Sequence, residues 1–200
     1  KITGLFQNHT ANDTQADGLT HSSIWCIVKD NQGTLWLGTY FGGVNYFNPE
    51  YEIYTRYSYS SNEKKGLSNP VVGRTIEDKD GNLWIGTEGG GLNYYNRRTR
   101  EFKWYRPQEG RNSISHNNVK ALYYDADKEI IWIGTHLGGL NKLDIRSGHF
   151  THYRMEEGNP NTLPSDIIRD IIPYKSLLII ATQNGVCLFD PANGQCQQLF

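Results

Sequence analysis

One block recurs along the chain at a nearly constant interval, and this recurrence limits the possible folds more than any other feature. LWIGT at residues 83–87 runs into EGGGLNYYN. The same block appears as LWLGTYFGGVNYFN from Leu35, as IWIGTHLGGLNKLD from Ile131, and in altered form as LIIATQNGVCLFD from Leu178. Trp36, Trp84, Trp132 and Ile179 thereby hold one repeat position, with spacings of 48, 48 and 47. Strand-like content repeating every roughly 40 to 50 residues is the mark of a β-propeller, in which each repeat is one blade that cannot bury both faces alone.

The repeat arithmetic sets the size. The 200 residues make about four blades, with repeats at approximately 19–66, 67–113, 114–162 and 163–200. The expected fold class is all-β, built of four-stranded antiparallel blades. Residues 1–10 align at a distance of 48 with the strand EIYTRY, which makes them the outer strand of a preceding or a closing blade. Strand-like residues at both ends compete for one place, and an open arc leaves edges that something must cover. A segment of a larger ring is therefore expected rather than a closed ring of four.

Each repeat opens with a short apolar inner strand: IWCIV from Ile24, VVGRTI from Val71, VKALYY from Val119 and IIRDII from Ile167. Turns follow (KDNQG, EDKDG, DADKE and PYKS), three of them rich in the Asp and Gly that tolerate positive φ. Then come the W-x-G-T strand, a Gly-Gly turn, a third strand and an outer strand with alternating aromatics. Leu19, Leu67, Ile114 and Leu163 are equivalent apolar plugs where the chain returns toward the centre. Asn45, Asn93 and Asn141 follow the turn in three repeats and are expected to satisfy local backbone groups.

The long stretches between blades vary most, and they leave on the same rim as the Gly-Gly turns. Variation on loops held by a rigid scaffold is what a recognition surface looks like. Tyr40, Glu88, His136 and Gln183 are four different side chains at one turn position. With Phe41 and the loop residues Asn69, His116, Asn117 and Asp166 they make the candidate ligand-binding rim, for a carbohydrate or a neighbouring domain.

Composition excludes several classes. Twenty basic and 21 acidic residues leave a net charge of −1, so no field draws the chain to nucleic acid or to a membrane. No apolar run approaches the ~18 residues of a membrane span, and KITGLFQNHT lacks the layout of a secretion signal. No Ser, His and Asp grouping and no His pair at metal spacing is evident, so no catalytic residue, cofactor or metal is expected. The Gly pairs open no helix and do not fit a phosphate loop. His149 and His152 are expected to face solvent, and the repeated Trp to pack between blades rather than to stack on a ligand. Cys187 and Cys196 flank the turn DPANG; they are either disulfide-bonded across a hairpin or two buried apolar side chains.

The strings LSNPVV, EDKDGNLWIGT and GGGLN resemble the repeat of the two-component regulator propeller family. The resemblance covers residues from about 19 to 190, and three of the four repeats fit it closely; Ile179 and Ala181 depart from it in the fourth. It implies a segment of a seven-bladed propeller in the periplasmic sensor part of a hybrid two-component histidine kinase, an inner-membrane protein. Such a sensor responds to oligosaccharides in polysaccharide utilisation, and the full-length protein is expected to be a homodimer. The partners implied are an oligosaccharide and the remaining blades and domains. Ligand positions are not part of the repeat, so no site residue comes from the resemblance. A protein-interaction scaffold is the alternative. A glycan lyase or hydrolase is the third reading; D-x-x-G-x-x-W is similar to the Asp-box turn of sialidase-type propellers, but the acid and Arg triad has no candidate.

Overall fold

The computed structural model describes residues 10–11, 18–48 and 53–199. The strand expected at residues 1–10 lies outside them but for its last residue. Among the described residues, four antiparallel sheets of four strands follow one another along the chain, each with its strands in sequence order. The first holds β1 (Ile24–Lys29), β2 (Leu35–Thr39), β3 (Val44–Asn48) and β4 (Ile53–Tyr57). The second holds β5 (Val72–Glu77), β6 (Leu83–Thr87), β7 (Leu92–Asn96) and β8 (Glu101–Tyr105). The third holds β9 (Val119–Asp125), β10 (Ile130–Thr135), β11 (Leu140–Asp144) and β12 (His149–Tyr153). The fourth holds β13 (Ile168–Tyr174), β14 (Leu177–Thr182), β15 (Gly185–Phe189) and β16 (Cys196–Gln198). These are the blades of a partial propeller. No helix among the described residues is long and apolar enough to cross a membrane.

Three buried cores join four blades, one between each consecutive pair. Trp36, Trp84 and Trp132 are almost wholly buried in them, among the aromatic residues of the outer strands. The outward faces of the end blades differ. Ile27 on β1 is 63% exposed, although its equivalents Leu122 and Ile171 are buried against the preceding blade. Ile172 on β13 is 51% exposed, where Ile76 packs against the following blade.

The repeated residues explain how the sheets approach. A Cβ built on Gly38 would lie 2.7 Å from Val72, and one on Gly86 2.5 Å from Val119, each on the inner strand of the next blade. Gly134 meets Ile168 in the same way. Only glycine admits the neighbour at this distance. Ala181 fills the equivalent space in the fourth blade, so an inner strand docking beyond it must sit wider. Gly43, Gly91 and Gly139 have positive φ, and each donates its N–H to the loop entering the next blade, at Pro70, Asn117 and Asp166.

Each Trp also has a polar anchor in the first two blades. Asp30 accepts hydrogen bonds from the amides of Gln32 and Thr34 (both 2.9 Å) and from the Trp36 indole (2.8 Å). Asp78 repeats the arrangement with Asp80, Asn82 and Trp84. In the third and fourth blades Glu129 and Lys175 take positive φ in the equivalent turn, where the first two blades have Gly33 and Gly81.

The three repeated asparagines are fully buried, and each grips the residue after its apolar plug. Asn93 Oδ1 accepts from the Ser68 amide and Asn93 Nδ2 donates to Ser68 Oγ, both at 2.8 Å. Asn45 does the same with Thr20, and Asn141 with Ser115. The entry segment is thus fastened to the third strand of its own blade. Arg74 pairs with Asp170 two blades away at 3.2 Å; both are half exposed, so the pair contributes only about 0–1 kcal/mol. Trp84→Ala is expected to cost about 3–5 kcal/mol in denaturant unfolding, as removal of a core ring. Asn93→Ala is expected to cost about 1–3 kcal/mol by leaving Ser68 unsatisfied. A loss below 1 kcal/mol at either position contradicts the role given to it.

Candidate functional site

The turns between second and third strands fix four side chains at equivalent places on one rim. The amides of Tyr40, Glu88, His136 and Gln183 each donate to the carbonyl just before an inner strand, at Ser23, Val71, Asn118 and Ile167, with distances of 2.9–3.1 Å. The residue after the first in each inner strand lies beside this ring: Trp25, Gly73, Lys120 and Arg169. Turn tips and inner-strand residues pair along the arc.

In the first blade the pairing is aromatic. The Trp25 and Tyr40 rings stack with centroids 4.8 Å apart and planes 27° apart, and Phe41 meets Tyr40 edge-on at 4.4 Å. His21 approaches Tyr40 edge-on at 6.3 Å. Trp25, Tyr40 and Phe41 are 44%, 38% and 57% exposed. Such a shelf offers apolar faces with an indole N–H and a phenol beside them, which suits rings that also carry hydroxyl groups.

The other expected rim residues form four further groups. Glu88 pairs with Lys120 of the next blade, and Asn69 lies beside the turn at Gly89. His116 and His136 meet edge-on with centroids 6.4 Å apart; His136 Nδ1 is buried without a hydrogen-bond partner. Asp166 binds Arg154 at 3.3 Å and accepts from the Met155 amide at 2.8 Å. Gln183 accepts from Arg169 at 3.4 Å. The Asn117 carbonyl takes the amides of Gly89 and Gly91, leaving its side chain in solvent. The nine residues therefore form a string of five local groups along the rim. Trp25, Lys120 and Arg169 belong with them, and the sequence signal for this is a single register position: the second letter of IW, VG, VK and IR. Among the described residues, no group of three or more His, Cys, Asp or Glu could hold a metal.

A second concavity, of about 560 Å³, lies between the first two blades on the side of the Asp-Gly turns, lined by Trp36, Tyr46, Tyr57, Tyr95, Arg97 and Arg100 among others. Its chemistry is already committed to packing. Arg97 pairs with the buried Asp30, approaches Glu77 at 3.6 Å and lies 5.0 Å over the Trp36 ring. Burial opposes ionisation of Asp30, but hydrogen bonds from Trp36, Thr34 and Arg97 outweigh it and hold the carboxyl below its usual range. This groove is the seal between two blades, whereas the aromatic shelf stands clear of any core.

Burial, followed by the charges of His136 and Arg154, holds His116 below the ordinary imidazole value. The folded chain therefore binds this proton less readily than the unfolded chain. Stability is fully present above the unfolded pKa of about 6.5 and declines as pH falls from there toward the folded value. An NMR titration is expected to place His116 below 6.5, and His116→Gln is expected to flatten part of the acid-side decline. A normal titration of His116 contradicts this.

The profile of the two component regulator propeller repeat matches residues 18–41, 66–89 and 113–136. Each match runs from the entry segment through the inner and W-x-G-T strands, so three of the four repeats are of the two component regulator propeller type. No curated protein matches the chain. Among solved structures it is similar to the extracellular domain of the hybrid two component system BT3049 from B. thetaiotaomicron, with a TM-score of 0.77 and 26% identity over 89% of this chain and 24% of that one. The extracellular domain of BT4673 from the same organism gives a TM-score of 0.73 at 24% identity, over 89% of this chain and 25% of that one. PorZ, a surface component of the type-IX secretion system of Porphyromonas gingivalis, shares the fold at 0.68 and 19% identity, over 95% of this chain and 29% of that one. The chain thus spans about a quarter of the length of the first two structures.

Proposed function

We propose that these blades are a ligand-sensing part of a hybrid two-component sensor, outside the cytoplasm, and that the rim binds an oligosaccharide. The observation that carries this reading is the shelf of Trp25, Tyr40 and Phe41, three large rings left exposed on a scaffold that buries its repeated tryptophans. The likeness to the extracellular domain of a hybrid two component system supports the setting. In this reading the gene product is an inner-membrane protein, its propeller lies in the periplasm, and further blades cover the exposed Ile27 and Ile172. A histidine kinase portion and a homodimeric state belong to the same proposal. The blades themselves have no catalytic role in it.

Calorimetric titration of the intact gene product with a panel of glycan oligosaccharides tests the reading. A member of the panel is expected to bind without turnover, and Trp25→Ala and Tyr40→Ala are each expected to weaken it several-fold, about 1 kcal/mol or more. Binding unchanged by both substitutions removes the rim as the site, and cleavage of the glycan removes the sensor reading.

A further inference from the structure

The fourth blade departs from the others at two positions that touch in the rest of the fold. In three blades a buried Asn on the third strand grips the Ser or Thr that follows the apolar plug. In the fourth, Cys187 pairs with Ile180 as Asn93 pairs with Ile85, so the cysteine holds the asparagine's place. The residue after the plug Leu163 is Pro164, which has neither an N–H nor a hydroxyl to offer. An Asn at 187 would have lost both of its partners there. The entry segment of this blade is instead fastened from the outer strand, where the Cys196 amide donates to Asn161 O at 2.8 Å.

The Cys187 and Cys196 sulfurs are 3.3 Å apart, on neighbouring antiparallel strands, and both residues are buried. We propose that Cys187 and Cys196 form a disulfide that ties the third strand of the fourth blade to its outer strand, replacing the missing asparagine grip with a covalent one. A disulfide requires about 2.05 Å, so the sulfurs must close by roughly 1.3 Å. β16 is a three-residue strand at the edge of its sheet, and among the described residues no further strand shifts when it moves.

The chemistry is thiol–disulfide exchange with an external disulfide, either glutathione disulfide or the disulfide of a thiol oxidoreductase. The thiolate of one cysteine attacks one sulfur of the carrier and releases the other as a thiolate. The thiolate of the second cysteine then displaces the carrier from the mixed disulfide. One S–S bond forms and one breaks, both cysteine protons leave, and the two electrons end on the carrier, now reduced to two thiols. The hydrogen bond between the sulfurs lowers the Cys187 pKa and, together with burial, raises that of Cys196. Cys26 lies in the first blade with its sulfur 3.7 Å from Thr75 Oγ1, apart from this pair. Where the bond forms in cells rests on the extracytoplasmic reading above; the pairing itself does not.

The test is to equilibrate the folded, intact gene product in a glutathione buffer of oxidising poise, denature it, alkylate it and map its peptides. Cys26 is expected to be alkylated without reductant, Cys187 and Cys196 only after reduction, and the unreduced map is expected to link Cys187 to Cys196. Alkylation of Cys187 and Cys196 without reductant, or a link that includes Cys26, overturns the proposal. If the bond forms in glutathione buffer but the cellular protein carries three free thiols, the pairing stands and the extracytoplasmic placement fails.

Discussion

Each sheet of this chain carries apolar side chains on both faces, so no blade can be stable unless a neighbour covers it. The rest of the structure follows from that constraint. Trp36, Trp84 and Trp132 face the following blade, and the residue two places on from each is a glycine, because the next inner strand lies where a Cβ would be. The turn glycines then donate to the loop entering the next blade, so the apolar contact comes with a directional one. The 48-residue spacing is the sequence form of this geometry, since every blade must present the same surface to the next.

That is why so much of the fold could be read without coordinates. A period shows which residues are equivalent, and the alternation within a strand shows which of them share a face. The four strands per repeat, the buried tryptophans and the apolar plugs follow from those two patterns, whereas the asparagines, expected to satisfy local backbone groups, bind partners 25 or 26 residues back in the entry segment. What escaped is what lies between repeats. Arg97 reaching Asp30, Lys120 reaching Glu88 and Arg74 reaching Asp170 connect residues far apart in the chain, and each depends on the angle between blades rather than on any local pattern. Glu129 and Lys175 hold positive φ where the turn chemistry leads one to look for Gly.

The candidate site divides in the same way. Equivalence of the turn positions put Tyr40, Glu88, His136 and Gln183 on one rim. Trp25 was hidden in an apolar string that looked like core, because its exposure follows from where the inner strand meets the mouth of the arc. Repeated residues here serve packing, and the recognition surface we propose is drawn from residues that differ at equivalent rim positions. The Arg97 groove shows the contrast, since an attractive set of aromatic and basic side chains is already engaged in holding two blades together.

Hydrogen–deuterium exchange on the intact gene product, with and without an oligosaccharide that binds it, tests this division most directly. The account predicts slowed exchange in peptides covering residues 20–25 and 39–43 on the rim, with the groove turns at 29–34 and 97–100 unchanged. Protection confined to the groove turns would contradict it.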